Sequence, residues 1–215
     1  MESVLDRVIK QNTENVNLLK TKDYNIFSVL QIQSKEVLIC RMIADLLNPR
    51  GQHGAGAEYL KIFLRDCLGM EKMDTKLADQ AIVTAEYAID DERRIDIVIE
   101  IGSYFLPIEV KIYAADQKSQ CFDYYQYAKR RDAQAKVYYL TLDGHRPGKD
   151  STSSGSQSVP EEDIVCLSFR EHILNWLKAC KNCENTGMVP ILEQFIQNIE
   201  PVSYTHLRAH ETEAD

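Results

Sequence analysis

The sequence has no apolar run long enough to cross a membrane and no charged-then-apolar leader ending in small residues. Neither a membrane-spanning nor a secreted protein is expected, and the cytoplasm is the default compartment. Cysteine is too sparse for a disulfide scaffold. There are six in 215 residues, and Cys40, Cys67, Cys121 and Cys166 sit inside periodic apolar segments, the usual setting of reduced, buried thiols. Only Cys180 and Cys183 form a C-x-x-C, and without a second pair or a nearby His cluster they fall short of a structural zinc site. Positive charge is also scarce, with 25 Lys and Arg against 33 Asp and Glu and a formal net charge of −8. Nothing at whole-chain level advertises nucleic-acid binding, so any such binding must rest on a local basic patch. No internal repeat is visible.

What is present suits one well-packed domain: 44% hydrophobic and 27% charged residues over a length that can bury a sizeable core. We expect that domain to occupy residues 1–201. The last stretch, "VSYTHLRAHETEAD", does not continue the apolar pattern before it, and most of it is similar to the conceptual translation of transposon-end adapter DNA used in sequencing libraries. Residues 202–215 are accordingly expected to be read-through, with the natural C-terminus missing, and His206 and His210 are set aside as ligands.

Apolar residues among polar neighbours over the first twenty positions read as an amphipathic helix or helix pair. "SKEVLICRMIADLLNP" is a helix by its 3.6-residue stripe, with Ser34 available as cap and Asn48-Pro49 as the stop. "RGQHGAG" is a glycine-rich loop, and "AEYLKIFLRDCLG" a second helix ended by Gly69. "AIVTAEYA" alternates as a strand and leads into a hairpin, "RRIDIVIEIGSYFLPIEVKI". A polar helix over "AADQKSQCFDYYQYAKRR" and a strand over "KVYYLTL" follow. Residues 143–162 read as a long surface loop, "DIVCLSF" as a further strand, and "REHILNWLKACKN" and "PILEQFIQNI" as closing helices.

Gly102-Ser103 is a two-residue hairpin turn signal that sets Ile101 opposite Tyr104. Counting outward pairs Ile99 with Leu106, Ile97 with Ile108 and Ile95 with Val110, an aliphatic face that must be covered. On the other face Asp96 falls opposite Glu109 and Arg94 opposite Lys111. Like charges facing across strands repel, at a cost of a few tenths to about 1 kcal/mol in an exposed sheet. A hard divalent cation offsets that repulsion; so does plain neutralisation by Arg94 and Lys111 on a solvated face. The pattern alone leaves both readings open.

Asp96 and "IEVK", following a helix that bears Glu36 and lying within a helix, three strands, helix, strand order, resemble the PD-(D/E)XK nuclease superfamily. The stretches "LLNPRGQHGAGAEYLKIFL", "RRIDIVIEI", "PIEVKIYAADQKSQCFDYYQYA" and "YYLTLDGHRP" are together similar to one bacterial branch of it. The resemblance implies an α/β, restriction-endonuclease-like core (α-β-β-β-α-β) with a mixed sheet flanked by helices. It also implies hydrolysis of phosphodiesters, of DNA foremost, with Mg²⁺ or Mn²⁺ held by Asp96 and Glu109 and with Glu36 as a further ligand, in a defence, mobile-element or repair setting. A catalytically inactive nucleic-acid-binding or protein-interaction module on the same fold is the alternative, and a homo-oligomer is compatible with either.

Lys111, two residues after Glu109, is expected to orient the attacking water and contact the phosphate as a compact charge. Glu36 shares its helical face with Ile39, Cys40, Ile43 and Leu47, so its carboxylate points inward and needs a cation, water or donor; near the helix start it can instead serve the dipole and stay wet. Gln117 and Gln120 are placed on the polar helix, Gln120 stacking with Tyr124 four residues on. In related nucleases such residues line the site, and Gln120 joins the catalytic candidates. His53 in the glycine loop is either a phosphate contact or a turn residue. Lys118, Lys129, Arg130 and Arg131, with Arg146 and Lys149 in the long loop, supply the local basic patch; a solvated helix end explains the helical ones equally well.

Overall fold

The computed structural model describes residues 24–71, 74–183 and 186–211. The amphipathic segment expected over residues 1–20 lies outside them. The larger elements are α1 (Glu36–Leu47), α2 (Glu58–Asp66), β1 (Ile82–Ala88), β2 (Arg94–Ile101), β3 (Tyr104–Lys111), α3 (Gln120–Arg131), β4 (Val137–Thr141), β5 (Ile164–Ser168), α4 (Leu174–Cys180) and α5 (Val189–Glu211). The strands form one mixed sheet in the order β1-β2-β3-β4-β5, with β1, β2 and β3 antiparallel and β4 and β5 parallel to β3. This is the expected α-β-β-β-α-β core, followed by the additional strand. Among the described residues no helix is long and apolar enough to cross a membrane.

Alternating side chains along the central strands build two cores. Ile97, Ile99, Ile101, Leu106, Ile108 and Val110 pack beneath Ile39, Ile43 and Leu47 of α1 and the helices α2, α4 and α5. Val98, Phe105, Val137 and Tyr139 on the other face meet Cys121, Tyr124 and Ala128 of α3. The sheet is therefore a filling between two helical layers, and β3, in its middle, is buried along its whole length after Tyr104.

The hairpin register holds from Ile101 opposite Tyr104 to Ile97 opposite Ile108. Gly102 stands in the left-handed region, φ 56°, as the tight turn requires. Ile95 departs from its expected place on the first face and joins the second core. The ladder ends at Ile97 because the Asp96 side chain, rather than a β2 carbonyl, accepts the Val110 N–H at 2.8 Å. Opposite Asp96 in the β1 register, Glu86 has a left-handed φ of 53° and is paired to Arg41 of α1. The β2 strand changes face at a point where two acids would otherwise confront each other.

Three boundaries differ from expectation. Ser34 does not cap α1; it closes a 3-10 turn, its hydroxyl donating to the Gln31 carbonyl at 2.9 Å, and Lys35 takes the cap position without a side-chain bond. The polar helix begins only at Gln120, after Ser119 in the left-handed region at φ 57°. The long loop is structured: a helical turn, Lys149–Thr152, and a short hairpin pairing Ser153–Ser154 with Gln157–Ser158 fold back on the start of α3. Ser119 N–H donates to the Asp150 carbonyl at 2.7 Å and Cys121 N–H to the buried Ser151 hydroxyl at 3.3 Å. All six cysteines are free thiols.

Candidate active site

Where β2 and β3 part, three acids from three elements converge. Asp96 of β2 is fixed by the Val110 N–H. Glu109 of β3 is 1% exposed, and its Oε1 accepts from the Lys111 ammonium at 2.6 Å. Glu36, first residue of α1, accepts the Ile112 N–H at 2.8 Å and the Tyr113 N–H at 3.5 Å just beyond Lys111. The inward turn expected of Glu36 is present, with backbone amides as its donors. Arg94 is exposed and pairs with no acid among the described residues, so Lys111 alone neutralises the pair.

Burial raises the pKa of Glu109 well above its ordinary value, and the Asp96 charge adds to it while the Lys111 charge opposes it. Burial raises Asp96 as well, against the opposing effects of the Val110 N–H and the Lys111 charge. For Lys111 burial pulls downward, but the charges of Glu109, Asp96 and Glu36 outweigh it and leave the ammonium harder to deprotonate than usual. Lys111 is therefore a fixed cation rather than a base. The nearby Cys40 thiol is pushed up by burial and then by the same three acids, which makes it inert.

Glu109 Oε2 is buried and has no hydrogen-bond partner among the described residues. An orphaned carboxylate oxygen beside a second buried acid suits a hard cation, which takes oxygen donors and keeps waters of its own. No group of three His, Cys, Asp or Glu among the described residues encloses an ion by itself. The donor set fits Mg²⁺ or Mn²⁺ held by two carboxylates with water completing the shell, and does not fit a closed structural metal.

A family model described as the PD-(D/E)XK nuclease superfamily matches residues 24–197. The chain belongs to the PD-(D/E)XK nuclease superfamily. Searches of curated proteins and of solved structures return no match.

Asp96, Glu109 and Lys111 stand together with Glu36 at one place in the fold. The other candidates are disposed differently. Gln120 is buried; its amide donates to the Tyr124 hydroxyl at 3.0 Å and its carbonyl oxygen accepts the Gln117 N–H at 3.5 Å. Tyr124 is 1% exposed, and its hydroxyl donates to the Arg94 carbonyl, which staples α3 to the start of β2 and leaves little of the phenol for a ligand. Gln117 lies ahead of α3, not on it, and receives a bond from Arg93. Lys118 is exposed, its ammonium without a partner among the described residues and its carbonyl taken by Arg93.

His53 faces inward instead of towards a phosphate. It is 4% exposed, its Nδ1 accepts from the Ala55 N–H at 3.0 Å, and its Nε2 then donates to the Asn48 carbonyl at 2.9 Å while the ring stacks on Tyr59. Gly51 is required there, since a Cβ would lie 2.6 Å from the His53 ring. Lys129, Arg130 and Arg131 sit at the far end of α3, about 13–17 Å from Gln120 by helical rise. Lys129 pairs with Asp163, Arg131 with Glu100, and Arg130 stands over the Tyr127 ring. This is the helix-end reading, with most of the charge spent internally.

Arg93 is the organising residue that the sequence reading passed over. Its guanidinium donates to Asp123 at 3.0 Å, to the Gln117 side chain at 2.8 Å and to the Lys118 carbonyl at 2.6 Å. The doubled Arg before Asp96 was visible, but its partners are 24 to 30 residues away and come near only on folding.

Proposed function

We propose that the protein is a divalent-metal-dependent nuclease that hydrolyses phosphodiester bonds, with DNA as its substrate. The observation that carries this reading is the buried Asp96 and Glu109 pair with an orphaned Glu109 oxygen and Lys111 alongside. Mg²⁺ or Mn²⁺, when bound, would polarise the phosphoryl group and offset charge gained in the transition state. Asp96 and Glu109 would hold the ion. Asp96 is kept in place by the Val110 N–H, so the ion finds one ligand already oriented. Glu36 braces the backbone at Ile112 and Tyr113, just past Lys111.

Lys111 contributes as an ammonium. With Glu109 serving as a metal ligand, the Lys111 ammonium would be available to orient the attacking water and to contact a non-bridging phosphate oxygen, where its charge is worth most as negative charge accumulates. Gln120 and Tyr124 act behind the site by fixing α3 against β2. Purified protein assayed on linear, circular and single-stranded DNA with Mg²⁺, with Mn²⁺ and with chelator tests the proposal. Metal-dependent cleavage is expected; specific metal binding without cleavage of any substrate supports the inactive module, and no metal binding at all removes both the ion site and the nuclease reading.

A further inference from the structure

The segment after β4 carries polar groups that the reaction above does not use. Glu109 pairs with Tyr139 and Lys111 with Thr141 in the parallel register, so these β4 residues share the face of the site. Tyr139 donates its hydroxyl to Asp116 at 2.8 Å, and its ring meets His145 edge-on at 6.2 Å. With adjacent strands about 4.8 Å apart, the imidazole stands on the order of 10 Å from Glu109.

His145 is held in place. Gly144 N–H donates to the Thr141 hydroxyl at 2.8 Å, and Asp143 Oδ1 accepts both the His145 N–H at 3.2 Å and the ring Nδ1 at 2.6 Å. Gly144 has a φ of 86°, and a Cβ there would meet Ser168 at 3.3 Å, so the turn tolerates no other residue easily. With Nδ1 committed to Asp143, Nε2 is the nitrogen left for a ligand. The other end of the segment is tied to the same support, because the second Asp116 oxygen accepts the Gly148 N–H at 2.7 Å.

Two cations follow within this anchored segment. Lys149 is exposed and its ammonium has no partner among the described residues, while Arg146 makes one bond, to the Glu161 carbonyl at 3.1 Å. They line a cleft of about 430 Å³ with Thr152, Ser153 and Ser158, and Glu161 is the one acid in its wall. In a chain of net charge −8, uncommitted cations beside the site are scarce, and those of the α3 end are largely paired.

We propose that His145, Arg146 and Lys149 form a second phosphate-binding subsite that grips the DNA backbone roughly one to two nucleotides from the scissile bond. The proposal rests on the nuclease reading and extends it with a place for the flanking strand. The subsite lies towards β5, on the strap of residues 143–159, and not along α3.

The test is fluorescence anisotropy of a labelled DNA duplex across a salt series, with Ca²⁺ replacing Mg²⁺, alongside cleavage in Mg²⁺. Wild type is compared with H145Q/R146Q/K149Q, with K149Q alone, whose side chain makes no bond the fold depends on, and with K129Q/R130Q. Each lost phosphate contact lowers the slope of log affinity against log salt by about 0.9. The triple variant is expected to lose about 2.7 from the slope and at least about tenfold in affinity, and K149Q about 0.9 from the slope, while K129Q/R130Q keeps the wild-type slope. If wild type binds or cuts DNA but K149Q and the triple variant keep its slope, the subsite is refuted and the nuclease reading stands. If wild type neither binds nor cuts, both fall together.

Discussion

At the scale of single residues, Asp96 and Lys111 sit in one pocket but are expected to fail differently. Asp96→Ala removes a candidate ligand and should weaken both metal binding and turnover. Lys111→Ala removes the charge aimed at water and phosphate, and should lower turnover about a hundredfold, close to 3 kcal/mol of transition-state stabilisation. Metal affinity should be kept or raised in that variant, because the ammonium that competes for Glu109 at 2.6 Å is gone. Calorimetric Mn²⁺ titration beside plasmid cleavage reads both quantities. Cleavage by Lys111→Ala at the wild-type rate would remove Lys111 from the machinery.

At the scale of elements, the site depends on three joints: Glu36 to the end of β3, Arg93 to the start of α3, and His53 within the loop between α1 and α2. Arg93→Ala breaks three bonds at once. The guanidinium is partly exposed, so we expect only about 1–2 kcal/mol of stability to be lost, with turnover about tenfold lower because α3 is no longer fixed against β2. Arg93→Lys should not rescue it, since one ammonium cannot span Asp123, Gln117 and the Lys118 carbonyl. His53→Ala is expected to cost about 2–4 kcal/mol in chemical denaturation through a cavity and two unmet backbone groups. Its folded fraction should bind DNA with unchanged salt dependence, which a phosphate-contacting histidine would not allow.

These joints also mark what was legible in the sequence. The hairpin could be counted from Gly102-Ser103 because strand periodicity is 2 and a two-residue turn fixes the register. The count failed one pair past Ile97, where a side chain, Asp96, replaced a main-chain acceptor. The amphipathic stripe of α1 was readable, whereas its cap was decided by the local bond of Ser34 to Gln31 and the late start of α3 by tertiary bonds to Arg93 and Asp150. Tyr124 and His53 carry residue types common in ligand sites, and only burial shows them turned to the scaffold.

For the whole molecule, the site's electrostatics predict a stability that depends on pH and on metal together. Burial raises Glu109 and Asp96 above their ordinary values, with the Asp96 charge adding to Glu109 and the Glu36 charge to Asp96. The folded, metal-free state therefore holds more protons than the unfolded chain between the ordinary carboxylate range and those raised values. Stability contributed by these groups is present below the unfolded pKa and is lost as pH rises through the folded one. A metal-free melting temperature should thus fall as pH rises from the ordinary carboxylate range into the alkaline range, and Glu109→Gln, which cannot ionise, should flatten that fall. A divalent ion demands the deprotonated carboxylates, so its binding competes with the same protons. Mg²⁺ should raise the melting temperature more at the upper pH than at the lower, and should do little for Glu109→Gln. Equal stabilisation of wild type and Glu109→Gln by Mg²⁺ at both pH values would place the ion somewhere other than between β2 and β3.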